Sequence, residues 1–178
     1  MPATFTIARP EADEHIEYYG KYIRLVRGED AMEAMRSQIG DTVRLLQPLE
    51  ESRALHRYAP GKWSIKEVVG HLTDGERVFA YRALRFGRAD DTPLPGFDEN
   101  TYVPAGRFDQ RPLSDLVEEY QTVRASSIAL YRGMNEEALL RRGSANGAPI
   151  SVRALAWIIA GHELHHRGIL IERYGLGK

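Results

Sequence analysis

The 178-residue sequence contains no cysteine. Its absence excludes disulfides, thiolate zinc sites, iron–sulfur clusters and a cysteine nucleophile. An excess of charge is also missing, because 24 basic and 25 acidic side chains leave a formal net charge of −1. A balanced chain has no general electrostatic attraction to nucleic acid or to membrane surfaces, and we therefore expect it to bind neither.

Long apolar runs are missing as well. No stretch approaches the roughly 18 consecutive apolar residues of a transmembrane helix. Residues 1–10 have neither a basic start nor a long apolar segment, so we expect no signal peptide and a cytoplasmic location. The length and the hydrophobic fraction of 43% suit one globular domain over residues 1–178.

Helical periodicity dominates the remaining pattern. Apolar residues recur at three- and four-residue spacing in segments that predict five helices. The predicted segments are 11–26, 30 to 49 or 55, 64–86, 114–133 and 151–175. Four of them begin at side chains that commonly cap helix N-termini, namely Asp30, Ser64, Ser114 and Ser151. Gly175 is the expected C-terminal stop of the last one.

Residues 87–112 are the least regular part of the chain, with four prolines and several acidic residues. Such a long connection is either a functional loop or a solvated crossover between helices. Residues 143–149, rich in glycine, asparagine and proline, are interpreted as a loop, and no strand pattern is evident. The sequence therefore predicts an all-α fold, a four-helix bundle with a long crossover loop and an additional N-terminal helix.

Three of the six histidines fall within five residues of the last predicted helix. At about 100° per residue, His162 and His166 lie about 40° apart in the middle of an apolar stripe, whereas His165 falls at its edge. Two buried imidazoles need partners for their ring nitrogens. Each could hydrogen-bond to a neighbouring helix, but an i, i+4 pair also presents two nitrogens to one metal ion, and we favour this interpretation.

A third ligand is expected from another helix. His71 is the best candidate, because it lies one turn after Val68 at the edge of the apolar stripe of the third predicted helix. His15 and His56 have polar surroundings and are expected at the surface. Three histidine ligands would leave coordination positions open for water or substrate.

The residues 162–166 also read His-Glu-x-x-His, which is the zinc metalloprotease signature. A protease is disfavoured, because only twelve residues follow His166 and no sheet is predicted. Glu163 could still act as a general base, or it could be a solvated or dimer-facing carboxylate. Asp74, one turn after His71, could orient that imidazole or simply be solvated.

Three arginines lie in the C-terminal half of the third predicted helix. Arg77, Arg82 and Arg85, together with Arg124 on the fourth helix, could form an anion site for a carboxylate-bearing substrate. Ordinary charge pairing on helix surfaces explains the same pattern and is the preferred interpretation.

Two segments resemble the DinB-like (DinB/YfiT-like) metalloenzyme family. They are Pro-Gly-Lys-Trp-Ser-Ile-Lys-Glu-Val-Val-Gly-His-Leu-Thr-Asp at residues 60–74 and Gly-His-Glu-Leu-His-His at residues 161–166. The resemblance implies a four-helix bundle in which a histidine on one core helix and an i, i+4 pair on the last hold a metal. In this chain those positions are His71, His162 and His166.

The family resemblance also carries expectations about chemistry. It implies one divalent transition metal ion, with zinc and nickel favoured, and a homodimer acting on an unknown small molecule. One expected activity is that of a metal-dependent hydrolase. The alternatives are a thiol S-transferase that uses a low-molecular-weight thiol, and a non-catalytic, stress-related metal-binding protein.

Overall fold

The computed structural model describes residues 6–177, which contain eight α-helices and one two-stranded antiparallel sheet. In chain order the helices are α1 (Glu17–Ile23), α2 (Ala31–Leu46), α3 (Glu51–Ala54), α4 (Ile65–Gly87), α5 (Glu99–Gly106), α6 (Leu113–Arg132), α7 (Glu136–Leu140) and α8 (Val152–Glu172). The strands are β1 (Arg142–Ala145) and β2 (Ala148–Ser151). Two 3₁₀ turns, Ala12–Glu14 and Phe108–Gln110, complete the regular structure.

The four long helices form the bundle. Helix α4 packs against α6 and α8, α2 packs against the same two helices, and α1 lies along α8. Trp157 of α8 is fully buried in the larger apolar cluster, and its indole nitrogen donates to the carbonyl groups of Ile7 and Ala8. The predicted four-helix bundle with an additional N-terminal helix is confirmed. None of the helices within residues 6–177 is long and apolar enough to cross a membrane.

Three of the four predicted N-caps are confirmed. The side chains of Asp30, Ser64 and Ser151 each accept a hydrogen bond from a backbone N–H in the first turn of their helix. The prediction for Ser114 is wrong, because the N-cap position of α6 is Pro112, two residues earlier, and the helix begins at Leu113. Here the Leu113 N–H donates to the Glu51 carboxylate at 2.7 Å, so a side chain from another helix satisfies the helix terminus.

Several predicted boundaries were also wrong. The segment 11–26 is not one helix, because the backbone is extended at His15 and Ile16 between a 3₁₀ turn and α1. Helix α2 ends at Leu46, shortly before Pro48, which cannot donate a helical hydrogen bond. Helix α8 ends at Glu172, so the left-handed Gly175 belongs to the following turn and not to the helix terminus itself.

Residues 143–149 form a hairpin and not the predicted loop. Asn146 and Gly147 occupy the two turn positions with φ of 53° and 73°, and this left-handed pair matches the twist of a two-residue hairpin. The crossover segment joins the hairpin, because the Leu94 N–H donates to the Ser144 carbonyl at 2.9 Å and the Asn146 N–H donates to the Leu94 carbonyl at 3.0 Å. The long crossover is therefore tied down, and it also contains α5.

Glu14 is a buried carboxylate that joins the 3₁₀ turn to the start of α8. Burial raises its pKa, but hydrogen bonds from Arg153, Ser151 and the Glu11 backbone outweigh this and lower the pKa from 4.5 to about 2. A lowered pKa in the folded state adds stability above the unfolded pKa, and this stability disappears as the pH falls through the folded value.

We therefore expect Glu14→Gln to lower the free energy of unfolding by about 2 kcal/mol at pH 7. The difference from the wild type should shrink as the pH falls from about 4.5 toward 2, because the wild-type carboxylate then becomes protonated. Urea unfolding at a series of pH values measures this difference. Glu29→Gln, at an exposed position, is the control, and a deficit that does not change with pH would contradict the assignment.

Candidate metal centre

Three histidine side chains converge where α4 meets α8. The Nε2 atom of His162 lies 3.1 Å from Nε2 of His71 and 3.1 Å from Nε2 of His166. One ligand atom from each residue falls within 4.8 Å of the others, and all three side chains are buried. The structure thus brings together the three residues that the sequence singled out.

Two glycines allow His162 to occupy this position. A Cβ atom on Gly161 would lie 2.1 Å from the Tyr22 carbonyl oxygen, so only glycine permits the close approach of α1 to α8. A Cβ atom on Gly75 of α4 would lie 3.1 Å from Cε1 of His162. The imidazole of His162 therefore lies between α1 and α4, edge-on to the Tyr22 ring at a centroid distance of 5.4 Å.

Hydrogen bonding among the imidazoles alone does not explain this geometry. A neutral imidazole Nε2 carries either one proton or one lone pair, so His162 Nε2 makes at most one of its two 3.1 Å contacts as a good hydrogen bond. A cation would accept all three lone pairs. Nitrogen atoms 3.1 Å apart are close enough to share one ion at metal–nitrogen distances of about 2.0–2.1 Å, and all three ligand atoms lie within 4.8 Å of one another. The donor set therefore fits a divalent transition metal.

Burial also prepares the three histidines to act as ligands. It lowers the pKa of His71 to about 4 and lowers the pKa values of His162 and His166 well below the usual range, with smaller contributions from neighbouring positive charge. The imidazoles are thus neutral at pH 7, and neutral nitrogen is the form that binds metal.

The other candidate residues lie outside this cluster. His165 is half-buried and packs edge-on against Tyr22 at 5.3 Å, while His56 is exposed and His15 is partly exposed. Asp74 lies 3.9 Å from Arg77, and no hydrogen bond joins it to His71 in the part of the chain that the structure describes. The proposed orienting role of Asp74 therefore finds no support in the geometry.

Glu163 is fully buried and belongs to a network of charged groups inside the bundle. Its carboxylate accepts from Arg124 at 2.6 Å and from the Thr42 hydroxyl at 2.5 Å. Arg124 also binds Glu76 through two nitrogens and the Tyr120 hydroxyl at 3.0 Å. Glu163 is therefore neither solvated nor dimer-facing, and the predicted general-base role finds no support, because both of its oxygens are occupied away from the histidines.

The arginine run divides into three groups. Arg77 and Arg85 form ion pairs with acidic partners near the surface, as the preferred interpretation predicted. Arg124 is buried and paired, so it is not available to an external anion. Arg82 is buried as well, and its Nη2 donates to the Pro95 carbonyl at 3.0 Å, but it forms no ion pair within residues 6–177.

The histidine cluster opens into a cleft of about 370 Å³. Its walls are rich in aromatic side chains, including Tyr18, Tyr22, Trp63, Phe79 and Phe97. Lys21, Arg82, Glu99 and Asn146 add polar groups to the same cleft.

The sequence patterns did not point to several of these lining residues. Glu99 and Phe97 belong to the irregular segment 87–112, and Asn146 belongs to the segment interpreted as a loop. Asp98 accepts from the Asn100 N–H at 2.9 Å and caps α5, and this cap was the one local signal that a helix begins beside Glu99.

A family model and a curated relative each match most of the chain. Residues 34–170 match the model of the DinB superfamily. A curated protein of Oceanobacillus iheyensis, named as a proposed metal-dependent hydrolase, is 26% identical over 138 residues that span 76% of each chain.

Solved structures show the same fold. YfiT from Bacillus subtilis, described as a probable metal-dependent hydrolase with an unusual four-helix bundle topology, superimposes with a TM-score of 0.69 at 19% identity over 93% of each chain. A mycothiol-dependent maleylpyruvate isomerase gives a TM-score of 0.65 at 13% identity, covering 77% of this chain and 58% of the other. Because the family match extends over more than half of its 178 residues, the chain belongs to the DinB superfamily.

Proposed function

We propose that the protein is a metal-dependent hydrolase that holds one divalent transition metal ion on His71, His162 and His166. The convergence of three neutral Nε2 atoms, which cannot satisfy one another, carries this proposal. The names of the Oceanobacillus iheyensis relative and of YfiT support it, since both are described as metal-dependent hydrolases. Zinc or nickel suits a set of three imidazole ligands.

A bound divalent ion supplies Lewis-acid chemistry, which polarises a carbonyl group and makes water more acidic. Three histidine ligands would leave coordination positions open for substrate and water, and all three histidines line the cleft. Trp63, whose ring centroid lies 4.8 Å from that of His71, and Phe79, at 5.9 Å from that of His162, place aromatic rings directly beside the cluster. Aromatic rings at this position exclude water from part of the cluster and so strengthen electrostatic interactions there.

We propose that Glu99, and not Glu163, is the general base that accepts a proton from the attacking water. Among the cleft-lining residues that the structure describes it is the sole acidic side chain, and it is partly exposed at the start of α5. Its negative charge raises the pKa of His71, against the larger lowering by burial, and also raises the pKa of Tyr22, so the carboxylate lies within electrostatic range of both side chains. A carboxylate beside the reacting water is a suitable proton acceptor.

The central experiment combines metal analysis with a panel of substrates. We expect about one ion per chain after reconstitution with zinc or nickel, and turnover of esters or amides by the loaded protein. Glu99→Gln should lower kcat by about 100-fold or more while metal content stays unchanged. Glu118→Gln, at an exposed position of α6, is the matched control.

The same panel tests a second activity. The shared fold with a mycothiol-dependent isomerase, together with the absence of cysteine from this chain, favours a thiol S-transferase as the alternative. One arm of the panel therefore offers low-molecular-weight thiols with electrophilic acceptors. Turnover in that arm alone would replace the hydrolase proposal, and metal binding without turnover in any arm would leave a non-catalytic metal-binding protein.

A further inference from the structure

Arg82 differs from every other buried charge in the cleft region. Its side chain is 2% exposed and borders the cleft, but only one of its three nitrogens has a hydrogen-bond partner within residues 6–177. Arg124, at 1% exposure, has two carboxylates, a hydroxyl and a carbonyl group around it. The two arginines are equally buried, but one has its counter-charges inside the protein and the other does not.

An isolated buried guanidinium is costly. Arginine stays protonated in proteins, so it cannot lose its charge to reduce the desolvation penalty. The nitrogens of Arg82 without a protein partner are not sealed inside the protein, because Gln38 Oε1 is the one fully buried side-chain polar atom without a partner among the described residues. They therefore reach the cleft, where the planar guanidinium is well suited to bind an oxyanion with two parallel hydrogen bonds. Glu99, the acidic residue that lines the cleft, forms no ion pair with Arg82 among the described residues.

The position of Arg82 indicates what kind of ligand would reach it. Gly75, which contacts His162, and Arg82 are seven residues apart on α4, so they share a face and are separated by about 10 Å along the helix. Phe79 lies between them, with its ring centroid 5.9 Å from that of His162 and 5.9 Å from Cζ of Arg82. The route from the histidine cluster to the guanidinium is therefore apolar along this wall.

We propose that Arg82 is the anion-binding residue of the cleft, and that the substrate carries a carboxylate or phosphate group separated by an apolar segment from the bond that reacts at the histidines. Lys21 adds a second positive charge at the edge of the same cleft. Its ammonium lies 3.8 Å from the Tyr18 ring centroid and 4.8 Å from that of Tyr22, and it has no acidic partner among the described residues. The claim that this ligand reacts at the histidines rests on the proposed function, whereas the claim that Arg82 binds an anion does not.

The test compares aromatic probes that differ in charge. Benzoate, phenyl phosphate and the neutral benzamide are titrated into metal-loaded protein in chloride-free buffer, and their affinities are measured by calorimetry. We expect at least one anion to bind about tenfold more tightly than benzamide, as charge-assisted hydrogen bonds typically provide. The comparison of the two anions distinguishes a carboxylate from a phosphate ligand, and equal affinity for all three probes would overturn the proposal.

Variants locate the site of the anion. Arg82→Gln should reduce the preference for the anion to less than about threefold, Arg82→Lys should retain part of it, and Arg88→Gln, at an exposed position beyond the cleft, should leave it unchanged. If Arg82→Gln does not fold, the comparison of the wild type with Arg82→Lys still tests whether the anion binds at Arg82. An anion preference that persists in Arg82→Gln would contradict the assignment.

A further variant separates this proposal from the metal site. His166→Ala should keep the preference for the anion, because Arg82 remains in place. A preference present in the wild type but lost in His166→Ala would show that the anion binds the metal, which would refute the Arg82 site and leave the proposed function intact. If the protein binds no metal but its preference for the anion depends on Arg82, the Arg82 site stands and the proposed function is refuted.

Discussion

Replacement of His166 by alanine is expected to abolish stoichiometric metal binding, whereas His165→Ala should retain it. His166 Nε2 lies 3.1 Å from its counterpart on His162, while His165 is half-buried at the cleft wall and belongs to no ligand cluster. The loss of affinity should exceed the roughly 10–100-fold that removal of an outer-shell partner causes. Competition with a chromophoric chelator measures both affinities.

The adjacent histidines make this comparison a matched one. Both variants remove one imidazole from the same turn of α8, so a general effect of histidine loss would weaken them equally. His166→Gln keeps more of the buried volume and controls for a packing defect. Retention of metal by His166→Ala together with its loss in His165→Ala would show that the ligand set has been wrongly assigned.

Arg124→Met is expected to destabilise the protein by about 3–5 kcal/mol, a large part of the 5–15 kcal/mol that stabilises a typical domain. The substitution leaves the carboxylates of Glu76 and Glu163 buried without their shared counter-charge. For a protein of this size the melting temperature should fall by about 6–20 °C. Thermal unfolding followed by circular dichroism measures the change.

The control is Arg132→Met, which makes the same substitution at an exposed position of α6. A triple variant that combines Arg124→Met with Glu76→Gln and Glu163→Gln should recover part of the lost stability, because it removes the unpaired charges as well. Similar melting temperatures for Arg124→Met and Arg132→Met would show that the network contributes little.

The bundle and its ligands were predictable because their determinants are local. The spacing of apolar residues predicts α4 and α8, and the predicted cap at Ser64 places the start of α4 correctly. The phase of α8 separates His162 and His166 from His165, since four residues bring side chains to one helix face and three bring them to its edge. On α4 the phase argument placed His71 at the edge of the apolar stripe, and the family resemblance supported it as the third ligand.

The hairpin was missed because its strands depend on distant contacts. Each strand has four residues, and Gly143 and Pro149 interrupt any alternation of polar and apolar side chains. Glycine is required at 143, because a Cβ atom there would lie 2.2 Å from the Phe86 ring of α4. The Asn-Gly pair at 146 and 147 indicated a turn, but pairing with Leu94 cannot be inferred from local spacing.

The buried charge network was unpredictable for a related reason. Arg124, Glu76 and Glu163 look like surface residues in a sequence, because an isolated charge is rarely buried. Only the assembled bundle shows that three helices bring them together at hydrogen-bond distance. The same limitation applies to Arg82, which the sequence grouped with its paired neighbours and the fold separates from them.

The hairpin turn has a consequence for how this cleft could diversify. Asn146 borders the cleft, but its backbone has a φ of 53°, which asparagine, aspartate and glycine adopt most readily. Most other side chains at this position would add strain of about 1–2 kcal/mol. The side chains that are best tolerated at Asn146 are therefore neutral or negative, and a positive charge at this position of the cleft would add backbone strain. Evolution could weaken anion selectivity from the hairpin with a single asparagine-to-aspartate change, but any strengthening would have to come from the helices.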